Sequence, residues 1–320
     1  MRFGCPPPVC GSQMRVEGVI VKADQSPLLR GLRELACSGR QQRQAIIRGS
    51  MDTHLSFNFV MTEHPSWMPS PAGQQRIVTV DGCLWLVRAA GASLDVEPIG
   101  AAGSRPPRRD VFVLRQSQPG EVAELATALG GLGPVLRIRN EDLWDALGTA
   151  ILRQVIRASQ SKRLYRAFCA AHGRTVLLPG GEQGALFPTW SEVLALGDED
   201  FGRLGLAFKR RPLRQAAEAF GSHGSRWASL PPATLVEELQ RVPGIGAWTA
   251  GAAVADWSND WTLYPYADLA VRTWARRAAP GHAWPDGETR FGGYWRSLTA
   301  DLSALTVLTL AWGSQHGDIG

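Results

Sequence analysis

The stretch Val242-Pro-Gly-Ile-Gly-Ala-Trp-Thr-Ala-Gly251 sets Gly244 and Gly246 one residue apart, just ahead of a run of helix formers. A bare turn that opens a helix suits an anion. The first backbone amides of a helix lack partners within it, and the helix dipole favours negative charge there. Three uses are open: a nucleotide-cofactor cradle, a grip on a nucleic-acid backbone, or a ligand-free αα corner. The cofactor use fares worst. A dinucleotide fingerprint wants a strand before the turn and a third glycine where Thr249 stands, and a P-loop would need Gly-Lys-Ser/Thr. A phosphate held by the amides of Gly244, Gly246 and Thr249 would position a nucleic acid without reading its bases. Asp268 lies 20 residues after Trp248, behind Pro265 and ahead of "LAVRTWARR". On its own, an Asp at that place caps the helix that follows.

The elements around these residues are legible in outline. "ATLVEELQRV" and "AWTAGAAVADW" read as two short helices joined by "PGIG", a helix-hairpin-helix over 234–256, and 257–272 reads as a loop running to the next helix start. Leu143, Leu147, Ile151 and Val155 recur every four residues, as one helix face does, with a break and N-cap expected at Ser159-Gln-Ser161. From 139 to 320 everything is expected to be helical. Before that, over 51–138, the period is two. Apolar runs flank Asp81-Gly82 in "RIVTVDGCLWLVR", which predicts a hairpin with a type I′ turn, "DVFVLR" predicts another strand, and "GEVAELATALGGLG" a helix. The fold class expected is α+β, a small strand-rich α/β domain followed by an all-helical one. Residues 1–50 stand apart. They are expected to be a flexible leader with a helix at Ser26–Cys37, or an artefact of a start placed too early, with a DNA-touching basic tail as a third option.

Composition narrows the class. Net charge is +5, but the first 50 residues hold eight Lys/Arg against three Asp/Glu, so the remainder is neutral and any DNA contact must rest on local clusters. Such clusters are "FKRRPLR", with Lys209 and Arg210, and "RTWARR". Each is equally well read as a solvated helix face. Cys5, Cys10, Cys37, Cys83 and Cys169 are scattered, which argues against zinc and against an iron–sulfur cluster. No apolar run would span a bilayer and the N-terminus lacks a signal-peptide core, so a cytoplasmic protein is expected, with no membrane partner.

Read together, "LQRVPGIGAWTAGAAVADW" and "YPYADLAVRTW" resemble the helix-hairpin-helix (HhH-GPD) DNA glycosylase superfamily, in which a Gly/Pro-rich loop ends in a catalytic Asp. "AILRQVIRASQSKRLYRAF" and "FPTWSEVLALGDEDFGRLGLAFKRRPLRQAAEAF" are similar to the helices before the hairpin in bacterial 3-methyladenine DNA glycosylase II. The resemblance is specific across 139–312, loose across 52–138, and leaves out 1–50. It implies a monomeric enzyme acting on double-stranded DNA, associated with the nucleoid when bound, that flips out a damaged base and cuts its N-glycosidic bond. Asp268 would stabilise the developing sugar cation and orient water. Members that also cut the strand carry a lysine where this chain has Trp248. The chain has only Lys22, Lys162 and Lys209. The resemblance therefore implies a monofunctional glycosylase for alkylated purines. Trp248, Trp312 and Trp144 would be pocket walls, with core packing equally open for the last two. Ala252 and Leu269 replace aromatic residues of the bacterial enzyme. Gln154 and Val155 would carry the base-stack wedge, with Ile156 as a substitute. No cofactor is required by the resemblance. A structural Na⁺ or K⁺ would sit on the main-chain carbonyls of Gln240, Val242 and Ile245. Two alternatives stand beside this expectation: an oxidised-purine or mismatch glycosylase on the same scaffold, and a non-catalytic DNA-binding protein in which Asp268 is only a cap.

Overall fold

The computed structural model describes residues 56–100, 105–114 and 122–317. The expected leader and its helix lie outside the described residues, and the account below concerns the unit that begins at Ser56.

Strands come first: β1 (Phe59–Val60), β2 (Met68–Ser70), β3 (Gly73–Val80), β4 (Cys83–Ala90), β5 (Ser93–Ile99), β6 (Arg109–Phe112) and β7 (Val135–Ile138). They make an antiparallel sheet in the order β2-β3-β4-β5, and a second sheet β1-β7-β6 in which β1 runs parallel to β7. The β3–β4 turn is the expected one. Asp81 and Gly82 both take positive φ, 49° and 78°, as a type I′ turn demands. Alternation gives the first sheet two apolar faces. Val78, Val80, Trp85 and Val87 pack with Leu136 and Ile138 of β7, while Ile77, Leu84 and Leu86 turn the other way. Helix α1 (Ala123–Gly130) falls where "GEVAELATALGGLG" places one.

Helices follow: α2 (Leu143–Arg153), α3 (Ala158–His172), α4 (Trp190–Ala195), α5 (Asp198–Arg203), α6 (Arg210–Trp227), α7 (Pro232–Leu239), α8 (Ala247–Ser258), α9 (Leu269–Ala278), α10 (Glu288–Ser297) and α11 (Leu302–His316). Two expectations are corrected here. Strands do not stop near 138: β8 (Thr175–Leu177) and β9 (Gln183–Ala185) form a hairpin between α3 and α4. Val176 and Leu178 find the apolar face that Ile77, Leu84 and Leu86 offer on β3 and β4. The helix break also comes earlier than Ser159–Ser161. It spans Gln154–Arg157, and the Ser161 hydroxyl donates to the Ala158 carbonyl at 2.9 Å instead of capping.

The core centres on α2 and α8. Every residue from Leu143 to Leu152 is buried, as is every residue from Thr249 to Asp256, so both helices are enclosed on all sides. Gly251 is required for this. A Cβ there would lie 2.5 Å from the Leu263 carbonyl oxygen, so the glycine lets the 259–268 loop lie directly on α8.

Candidate active site at the hairpin

The hairpin is present as expected, α7 and α8 joined by residues 240–246. Val242 and Ile245 are buried and fix the turn in the core, which leaves Gly244 and Gly246 exposed. The two glycines have different reasons. Gly244 has φ of 85°, and a Cβ would press within 3.2 Å of Pro212 Cβ, so the fold itself requires it. Gly246 has φ −86° and ψ 178°, an ordinary extended backbone, and a Cβ there would meet nothing within 4 Å. The fold makes no demand at Gly246. It is the N-cap of α8 and has no side chain to take the first-turn amides, so those donors face outward. Thr249 is 2% exposed, and its hydroxyl faces inward to accept from Gln154. Only its backbone amide remains for an outside partner.

The turn after α2 carries the wedge candidates. Val155 takes φ of 59°, a strained conformation for a β-branched residue, and its side chain is fully exposed, at 102%. Ile156 instead packs against the core. Gln154 ties this turn to the hairpin. Its Nε2 donates to the Gly244 carbonyl at 3.1 Å and to Thr249 Oγ1 at 2.7 Å. Lys209 is corrected by the structure. It is 3% exposed, and its Nζ donates to the Gln154 carbonyl at 2.6 Å, so it holds the turn after α2 and is not on the surface. Burial lowers its pKa to about 8. Arg210, half-exposed, pairs with Asp198.

Asp268 is half-buried at the end of the loop and does cap α9, accepting from the Ala270 amide at 3.2 Å. Capping is not its only engagement. Trp248 Nε1 donates to Asp268 Oδ1 at 2.9 Å, and the Tyr264 hydroxyl makes a long contact of 3.4 Å with Oδ2. Tyr264 is a site neighbour that residue spacing did not single out. Burial and the adjacent Asp268 push its phenol above its ordinary pKa, so it remains a donor. Arg153, at the end of α2, is the other. Burial opposes its charge, and Tyr264, Asp268, Asp256 and Glu63 outweigh that and raise its pKa. The loop is anchored at its start. Arg137, buried on β7, donates to Glu63 Oε1 at 2.9 Å, to Asp256 and to the Asn259 side chain, with Trp261 beneath it at 4.8 Å.

Of the remaining pocket candidates, Leu269 is 68% exposed beside Asp268, and Ala252, one turn beyond Trp248, is buried. Of the two readings left open for it, Trp144 shows core packing. Its Nε1 donates to the Pro188 carbonyl at 2.7 Å and its ring packs against Phe187 and Phe220. Trp312 is half-buried, stacked on His316 with ring centroids 4.4 Å apart. Among the described residues no cluster of His, Cys, Asp and Glu could hold a metal, and no helix is long and apolar enough to cross a membrane.

The fold, an N-terminal strand-rich region ahead of a helical core, matches that of solved DNA glycosylases. No family model and no curated protein matches the sequence. Solved structures do match. The Clostridium acetobutylicum 8-oxoguanine glycosylase/lyase, solved with DNA containing cytosine opposite 8-oxoguanine, aligns with a TM-score of 0.59 at 16% identity, over 79% of this chain and 88% of that one. The 3-methyladenine DNA-glycosylase of Archaeoglobus fulgidus aligns with a TM-score of 0.59 at 14% identity, over 83% and 99%. MBOgg1, solved with a low-affinity DNA ligand, aligns with a TM-score of 0.59 at 13% identity, over 82% and 95%.

Proposed function

We propose that the protein is a monofunctional DNA glycosylase of base excision repair, which flips a damaged, alkylated purine from duplex DNA and hydrolyses its N-glycosidic bond to leave an abasic site. The observation that carries this is the hydrogen bond between Trp248 and Asp268, which joins the first turn of the hairpin's second helix to a carboxylate held by three donors. As the base departs, positive charge develops on the sugar. A fixed carboxylate beside it stabilises that charge and orients water. The exposed amides at Gly244 and Gly246 grip the phosphate backbone, and Val155 fills the stack. Trp248 occupies the place of a lyase lysine, so no Schiff base forms there and the strand stays intact. A Na⁺ or K⁺ ion on the carbonyls of Gln240, Val242 and Ile245 fits an all-oxygen donor set; the Val242 carbonyl already accepts from the Ile245 amide and has one lone pair to give.

A second substrate class is favoured by one observation. Proteins of this fold include an 8-oxoguanine glycosylase/lyase as well as a 3-methyladenine glycosylase. Chemical identification of bases released from methylated and from oxidised genomic DNA separates the two. Release of methylpurines supports the proposal, release of 8-oxoguanine alone assigns the second class, and tight DNA binding with no release from either sinks both in favour of a non-catalytic protein.

A further inference from the structure

A cavity of about 890 Å³ lies away from the Asp268 site, and neither Trp248, Tyr264 nor Asp268 lines it. It runs along β3 beyond Gln75, where pairing with β2 ends and no other described strand pairs with that edge, and it is bounded by the β8–β9 hairpin, α3 and the start of α2. Ile77, Leu86, Leu178, Leu186 and Phe187 supply apolar walls.

The charged groups that line it are unequally served. Asp142 accepts from the Trp144 and Asp145 amides as the cap of α2. Asp145 accepts from Tyr165 at 2.6 Å and from Asn140 at 3.0 Å. Glu182 takes Gln75, Glu192 takes Thr189, and Arg166 is spent on the Pro65 and Trp67 carbonyls. Arg76 differs. It is 3% exposed, its Nε is buried with no partner, and its nearest carboxylate oxygen, Oδ2 of Asp145, is 4.0 Å from Nη2, beyond hydrogen-bond reach. Arg174 stands exposed at the rim with no ion pair among the described residues. The unused capacity at this cavity therefore belongs to two arginines. A buried guanidinium without acceptors is costly, and its planar fork matches an oxyanion with two oxygens.

We propose that this cavity binds a small organic oxyanion, a carboxylate or a phosphate monoester on an apolar body, with Arg76 as the paired donor to the oxyanion and Ile77, Leu178 and Phe187 around the body. The site stands independently of the glycosylase proposal.

Titration calorimetry of the full chain with phenyl phosphate, benzoate and inorganic phosphate tests it. At least one of the two organic probes binds with Kd below about 1 mM, and inorganic phosphate binds at least about tenfold more weakly. The organic probe that binds better names the source of the oxyanion. Arg76→Met reduces the affinity at least about 30-fold, because the paired donor to the oxyanion has been removed. Leu178→Trp, which fills the cavity without touching Arg76, also lowers it at least about tenfold. Failure of all three probes to bind the unmodified protein overturns the proposal. So does unchanged affinity in Arg76→Met, or a fall in its Tm together with retained binding, which would make Arg76 a structural partner of Asp145.

Discussion

Trp248 Nε1 and Asp268 Oδ1 are 2.9 Å apart, so the first turn of the hairpin's second helix and the end of the following loop meet in one hydrogen bond. The indole N–H fixes the carboxylate, and the carboxylate fixes the plane of the indole. Trp248→Phe keeps most of the ring and removes the donor. We expect base release to slow about tenfold, near 1.4 kcal/mol, through kcat with little change in KM. Steady-state kinetics on a lesion duplex check this, and unchanged kcat would remove Trp248 from the positioning of Asp268.

Val155 stores strain in a fully exposed side chain. Asn tolerates the left-handed backbone far better, so Val155→Asn is expected to raise stability by about 1 kcal/mol and to weaken binding of duplex DNA. Denaturant melts and binding titrations read the two effects. A stability gain without a binding loss would leave the turn with no part in opening the duplex.

Gly251 is where α8 and the 259–268 loop touch. In Gly251→Ala the new Cβ meets the Leu263 carbonyl, found 2.5 Å from its ideal position. The loop must move, and Asp268 with it. Loss of activity beyond about tenfold, with destabilisation of about 1–3 kcal/mol, is the expected outcome of a combined rate and melting measurement. Full activity would mean the loop's position does not depend on this contact.

Asp145 gives a pH signature. Burial, with Asp142 adding to it, lifts its carboxyl from the ordinary 3.8 to about 7, against the pull of Arg76 and the Tyr165 hydrogen bond. Between those values the folded chain keeps a proton that the unfolded chain releases. The group's contribution to stability is thus whole below pH 4 and is lost as pH rises to 7. Asp145→Asn removes this slope, by at most about 1.4 kcal/mol per pH unit. Denaturant melts of both proteins from pH 4 to 8 should diverge. Parallel curves would show that Asp145 titrates normally.

How much of this was legible in the sequence depends on what each residue type reveals. Asp81-Gly82 announced its turn because few residues accept positive φ twice in succession. The glycines of the hairpin and Asp268 stood out by type and spacing. β8 and β9 did not, because their pairing depends on an apolar face offered by β3 and β4, remote in the chain. Lys209 was misplaced because sequence carries its charge but not its burial: a basic run looks alike whether it faces phosphate or a carbonyl. The proximity of Tyr264 and Arg153 to Asp268 follows from packing of α2, α8 and the loop, which no local pattern encodes. For Trp144 pocket wall and core packing were equally open in the sequence, and only its N–H on Pro188 decides for the core.

The central claim is that Asp268 performs glycosidic hydrolysis without strand cleavage. It is tested most directly with a labelled duplex bearing one methylated purine, incubated with the protein and with Asp268→Asn, and resolved before and after alkali. The account predicts strand breaks only after alkali for the unmodified protein, and a rate at least about 100-fold lower for Asp268→Asn. Full activity in Asp268→Asn, or breaks without alkali, would contradict it.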